Sequence, residues 1–296
     1  MVIGKHIRII SPSGAILPDY IEGATARLRS WGYTVSEGAH DRGEYGRFSG
    51  TDEARIEDLQ AALTDPSVDY ILCSRGGYGL QRIVNQIRGP FDKCVIGFSD
   101  ITALHQCYAL AGKPSVHGLM CKHIATLPEE SEALHLFRNA LNGDTLSYDL
   151  ESHPLSRFGA ATGVLIGGNL SVLYGLQGTP YSLNAVLDTQ PEGCILFIED
   201  ICERHYHIDR MLQNLRMSGV LARIKGLVVG QFTDCEPDPL MPDNSIYATI
   251  LEAVKGYSYP VLFDFPAGHV DDNRPLRFLQ PTVLSVSVNS SHLIIN

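Results

Sequence analysis

Apolar and polar residues follow one another in short blocks along the first half of the chain. A β-branched run at 7–10 ends in the turn string Ser11-Pro12-Ser13-Gly14. Residues 18–31 place Tyr20, Ala24, Leu28 and Trp31 at helical spacing, and Gly32 follows as a stop signal. A second helix is predicted from Thr51-Asp52-Glu53, with Ile56, Leu59 and Leu63 on its apolar face and Asp65-Pro66 closing it. Tyr70-Ile71-Leu72-Cys73 reads as a buried strand, followed by Ser74-Arg75-Gly76-Gly77-Tyr78-Gly79. Val95-Ile96 reads as another, followed by Gly97-Phe98-Ser99-Asp100 and a helix to about Ala111. Repeated strand–loop–helix units predict a parallel sheet with helices on both faces.

Residues 142–160 break the rhythm. They are polar and turn-rich, with Asn142-Gly143-Asp144 and His153-Pro154, and read as a linker. Beyond them, strands are predicted at 162–166, 194–198, 225–230 and 260–264, with a final pair around Asn289-Ser290-Ser291. Helices are predicted near 168–176, 205–217 and 245–255. The expected fold class is α/β. An N-terminal α/β domain with a mainly parallel sheet (1–141) precedes a smaller β-rich domain (161–296).

Composition narrows the partners. The chain has 296 residues, with 23 Lys plus Arg against 33 Asp plus Glu, a formal net charge of −10. That balance argues against nucleic acid and against anionic lipid, both of which need a basic face. A hydrophobic fraction of 44% suits a packed core, and no apolar run is long enough to span a bilayer. The N-terminal segment lacks the pattern of a secretory signal, so the cytoplasm is the expected location. Seven cysteines with no Cys-x-x-Cys predict neither a disulfide framework nor a zinc site. No His-Glu-x-x-His or comparable cluster occurs, so no metal and no cofactor are expected. His205 and His207, two residues apart on a predicted helix start, face different ways.

Four strings offer chemistry. Ser99 stands directly between a predicted buried strand and a helix, a turn that exposes a hydroxyl beside free helix amides. Ser99 as a helix cap is the competing reading. The motif lacks the second glycine of the α/β-hydrolase elbow, since Ile101 stands there. Gly76 and Gly77 form either a tight turn or a loop whose amides face a ligand. The strand 195–198 runs into Glu199 and Asp200, and a carboxylate there can hold an imidazole in one tautomer. His269 lies in the loop string Pro266-Ala267-Gly268-His269, which does not resemble a core position. Serine, carboxylate and histidine each after a strand, beside a glycine loop, form the constellation of acyl transfer.

These strings, in their order, resemble the LD-carboxypeptidase family of serine peptidases, which includes muramoyltetrapeptide carboxypeptidases and microcin C self-immunity proteins. The matching strings also include Ser11-Pro12-Ser13, His117-Gly118, Gly167-Gly168-Asn169-Leu170, and Tyr206 with Asp209-Arg210. The resemblance implies a Ser99–Glu199–His269 triad, with oxyanion donors from the Asp100 amide and the Gly76-Gly77 loop. It implies a barrel-like second domain and a cytoplasmic homodimer. Arg75 beside the glycine loop and Asn169 at a predicted helix start are candidates to bind a substrate carboxylate against the net charge of −10, and His117, which follows a strand, Glu203 and Tyr206 are further candidate substrate contacts. Leu119-Met120 after His117-Gly118, and Arg204-His205, depart from the family pattern.

The expected activity is hydrolysis of an L,D peptide bond in a small peptide or muropeptide, releasing terminal D-alanine in cell-wall recycling. A microcin-immunity-type hydrolase of aminoacyl-nucleotide conjugates is the alternative within the fold. A non-catalytic protein that binds anionic ligands through the Gly76-Gly77 loop is the alternative outside it. Trp31, the only tryptophan, falls in a predicted core helix, which leaves no obvious tryptophan platform for a nucleobase.

Overall fold

A computed structural model describes residues 4–237, 240 and 245–296. The chain divides into two compact units. The first comprises Met1–Asp144 with Arg274–Leu276; the second comprises Thr145–Asn273 with Arg277–Asn296.

The first unit is built on β1 (His6–Ile10), β2 (Thr34–Glu37), β3 (Tyr70–Cys73), β4 (Cys94–Gly97) and β5 (Ser115–His117). Its sheet runs in the order β5-β4-β3-β1-β2, all neighbours parallel. Register aligns Ile9 with Leu72, Leu72 with Ile96, and Ile96 with Val116. These four belong to a buried cluster that Leu28, Leu134 and Phe137 complete from the helices Pro18–Ser30 and Glu132–Asn142. Parallel strands covered on both faces need such continuous apolar runs. The first helix buries Ile21, Ala24, Thr25 and Leu28, a face rotated slightly from the expected one. Trp31 follows its end, only partly buried, with the Arg138 guanidinium over its ring at 5.1 Å. In the helix Asp52–Thr64 the chain buries Arg55, which donates to the Pro12 carbonyl at 2.6 Å and pairs with Asp52.

The second unit holds a seven-stranded mixed sheet. Its strands are β6 (Leu146–Glu151), β7 (Gly159–Asn169), β8 (Cys194–Ile201), β9 (Ile224–Thr233), β10 (Val261–Leu262), β12 (Pro281–Val286) and β13 (Ser290–Ile295). The order is β10-β9-β8-β7-β12-β13-β6, the first four mutually parallel and the rest antiparallel. A further short strand, β11 (Leu276–Phe278), lies between β10 and β12 in the chain and is not part of this sheet. Two expectations are corrected here. Residues 142–160 are not a plain linker, because Leu146 and Tyr148 alternate with exposed Ser147 and Asp149 and pair along β13 as a half-buried edge strand. The strand expected at 260–264 is only Val261–Leu262. Among the described residues no helix is long and apolar enough to cross a membrane, no group of side chains could hold a metal, and every cysteine is a free thiol.

Polar groups gather where the first sheet's strands end. Ser11 Oγ meets Ser74 Oγ at 2.6 Å and donates to the Asp41 carbonyl at 2.7 Å. The Asp41 carboxyl is 3% exposed, and its Oδ2 has no hydrogen-bond partner among the described residues. Burial, reinforced by the nearby Glu37 and Asp58 charges and opposed by Arg42, pushes this carboxyl up to about 7. The folded state then keeps a proton that the unfolded chain releases near pH 4, so stability falls between about pH 4 and 7. Asp41→Asn should therefore melt progressively above wild type as pH rises across that window. Parallel melting curves at both pH extremes would contradict this account.

Candidate active site

In the first unit, β4 ends at Gly97 and the chain turns at Phe98 into a short 3-10 turn, Ser99–Ile101, that continues as the helix Thr102–Leu110. Ser99 has φ +64°, a left-handed conformation that a β-carbon disfavours. The helix cap is Phe98, with no side-chain cap bond, so Ser99 is not the capping residue. His105, buried, spans the strands behind it: Nδ1 lies 2.8 Å from Ser115 Oγ and Nε2 lies 2.9 Å from the Gly97 carbonyl. Burial pushes this imidazole down to about 4, which keeps it neutral as a strand clamp.

Asp100 turns inward. Its Oδ2 accepts from Ser13 Oγ at 2.7 Å and from the Leu80 amide at 2.9 Å, while burial raises the carboxyl above its ordinary range. It thereby ties the Ser11–Gly14 turn and the glycine loop to the serine turn. Gly76 is pressed against Ser99: a β-carbon there would stand 2.8 Å from Ser99 Cβ and 3.1 Å from its Oγ. The Gly14 amide donates to the Gly76 carbonyl at 3.1 Å. A cavity of about 590 Å³ opens beside this loop, lined by Gly14, Glu44, Arg47, Arg75, Gly77 and Tyr78 among others. Arg75 donates to the Ala15 carbonyl at 2.8 Å. His117 ends β5 fully buried with its ring against Phe98.

In the second unit, β8 is buried from Cys194 through Asp200. Glu199, fully buried, lies 2.8 Å from His269 Nδ1 through Oε2. An ionised Glu199 accepts that proton and leaves Nε2 as the basic nitrogen. Asp200 bonds instead to Asn169 Nδ2 at 2.9 Å and the amides of Ser171 and Ile201 at 2.8 and 2.9 Å. Burial and the Glu199 charge push Asp200 up to about 7. Asn169 is buried, caps the helix Leu170–Gly175 by accepting from the Val172 amide, and donates to Asp200. Glu203 lies 2.9 Å from His207 Nδ1, and Tyr206 is half-exposed with its ring against His207 and under the Arg210 guanidinium. Sequence reasoning missed Asp41 and Asn273, which lie in no motif. Ser13 stands in the Ser11-Pro12-Ser13 string, but its bond to Asp100 joins residues far apart in the chain.

The LD-carboxypeptidase N-terminal domain model matches residues 7–118, and the LD-carboxypeptidase C-terminal domain model matches residues 162–283. The murein tetrapeptide carboxypeptidase of Pseudomonas aeruginosa is 29% identical over 299 residues, covering 95% of this chain and 94% of that one. The crystal structure of muramoyltetrapeptide carboxypeptidase from Oxalobacter formigenes superposes with a TM-score of 0.86 at 28% identity, covering 99% of both chains. A structure of MccF in complex with glutamyl sulfamoyl guanosine shares the fold at a TM-score of 0.83 and 20% identity, covering 100% and 97%.

The left-handed turn gives a stability test. Ser99→Gly should be more stable than Ser99→Ala by about 1 kcal/mol, because glycine adopts φ +64° without steric cost. Denaturant titration of the two variants checks it; equal midpoints would show that the turn is unstrained.

Proposed function

Because the chain belongs to the LD-carboxypeptidase family, we propose that it is a serine carboxypeptidase that hydrolyses an L,D peptide bond, with a murein tetrapeptide losing its terminal D-alanine as the substrate. The names of its relatives support that substrate class. The observation that carries the reading is the fully buried Glu199 beside His269 Nδ1 in the loop after β10.

In this mechanism His269 Nε2 takes the proton of Ser99 as Oγ forms a bond to the scissile carbonyl carbon. Amides of Asp100 and the Gly76-Gly77 loop stabilise the oxyanion. His269 then gives the proton to the leaving amine as the C–N bond breaks. Water, deprotonated by the same imidazole, hydrolyses the acyl-enzyme. Glu199 fixes the tautomer and stabilises the imidazolium. Arg75 and Arg47, on the cavity beside Gly77, supply the positive charge that a free C-terminal carboxylate needs in a chain of net charge −10. Recycling of murein peptides by a cytoplasmic homodimer completes the proposal.

A fluorophosphonate should label wild type on one serine and should leave Ser99→Ala unlabelled. Glu199→Gln should lower kcat by roughly 10³- to 10⁴-fold, through the lost tautomer control, with Glu203→Gln close to wild type. Mass spectrometry of murein tetrapeptide with the enzyme should show loss of one alanine. An unlabelled protein that still binds the peptide would make it a binding protein instead. Hydrolysis of an aminoacyl sulfamoyl nucleoside, with the tetrapeptide untouched, would move it to the immunity branch.

Amidating the substrate's terminal carboxylate should reduce kcat/KM by roughly 10- to 150-fold, the value of one charge-assisted contact. Equal turnover of free and amidated peptides would remove the carboxypeptidase assignment whatever the nucleophile.

A further inference from the structure

The histidine loop after β10 is anchored residue by residue. The Phe265 amide donates to the Val229 carbonyl at 3.0 Å, and the Gln231 amide donates to the Ala267 carbonyl at 2.9 Å. Those bonds fix the loop to β9 only as far as Ala267. The next amide, that of Gly268, donates to Asn273 Oδ1 at 2.9 Å. Asn273 is fully buried, although nothing in the string Asp271-Asp272-Asn273 marks it as a core residue.

Gly268 has no room for a side chain. Its φ is +132°, and a β-carbon would stand 3.1 Å from Glu199 Oε2 and 3.2 Å from Glu199 Cβ. The backbone just before His269 is thus laid directly on the carboxylate that His269 meets at 2.8 Å. A small rotation of the Gly268 peptide would move the imidazole off that carboxylate. The only side chain among the described residues that takes the Gly268 amide is Asn273.

We propose that Asn273 is a positioning residue, which by accepting the Gly268 amide holds His269 in register with Glu199. The proposal rests on the reading of His269 and Glu199 as partners of Ser99. Its contact with the loop is through Oδ1; Nδ2 has no hydrogen-bond partner among the described residues. The acceptor is therefore the functional half of the amide, and an aspartate at this position keeps it in either protonation state.

Three variants and one spectroscopic signature test this. In protein carrying ¹⁵N-labelled histidine, the His269 Nδ1–H proton should resonate far downfield, as a proton shared with a carboxylate does. Asn273→Ala should lose that resonance and lower kcat roughly 10- to 100-fold, the scale of a small misplacement of a catalytic group. KM should stay within about twofold, because the ground-state contacts are untouched. Asn273→Asp should restore both the resonance and kcat. If Asn273→Ala does not fold, Asn273→Gln replaces it: its acceptor is displaced by one methylene, so it should behave as the alanine variant is expected to.

The proposal is overturned if the resonance survives loss of the acceptor, if kcat and KM fall together, or if aspartate fails where asparagine succeeds. Repeating the spectroscopy in Ser99→Ala protein separates the two layers. An active Ser99→Ala enzyme would remove the triad reading yet leave the loop result standing. An inactive Ser99→Ala enzyme with an unaltered resonance in Asn273→Ala would remove only the role of Asn273.

Discussion

The Asp100 carboxyl, buried one residue after the serine, is the constraint on which the first unit's site depends. A carboxyl in that position is costly unless donors reach it. Two do, and they come from different loops: the Ser13 hydroxyl and the Leu80 amide. Meeting that requirement draws the turn after β1 and the glycine loop after β3 against the turn after β4. The close approach of Gly76 to Ser99 and the left-handed serine follow from the same convergence. The backbone strain at Ser99 is thereby held by side-chain hydrogen bonds, not by the local sequence, which alone would relax it.

The second unit solves the same problem by alternation. Glu199 and Asp200 are neighbours at the buried end of β8, and a pleated strand sends them to opposite faces. Glu199 meets one imidazole, while Asp200 gathers amide donors from the helix that begins at Leu170. Among the described residues one carboxylate has a single hydrogen-bond partner and the other has several. Their chemical difference comes from neighbours, since the strand buries both.

Much of this was legible in the chain. The parallel sheet of the first unit follows from short β-branched runs ending in glycine and serine, and those ends are where the sheet places Ser74 and Ser99. The glycine loop and the Glu199–Asp200 pair announce themselves because their signal is local. Other features were not legible because their cause is distant in sequence. Arg55 lies off the apolar face that Ile56, Leu59 and Leu63 mark, yet it is buried and donates to the Pro12 carbonyl, a partner distant in sequence. The cap that Asn169 makes and the packing of His117 on Phe98 likewise depend on partners that the local strings do not name. Leu146 and Tyr148 were hidden by polar neighbours, and only pairing with β13 shows their two-residue period.

The placement of the two acids on β8 also limits how this protein can vary in length. Inserting or deleting one residue anywhere between Cys194 and Glu199 would exchange the faces of everything beyond it. A deletion would bring Asp200 to where Glu199 meets the imidazole, one methylene shorter, and an insertion would carry Glu199 to the amides that Asp200 gathers. A change in this strand's length would therefore alter which acid meets the imidazole.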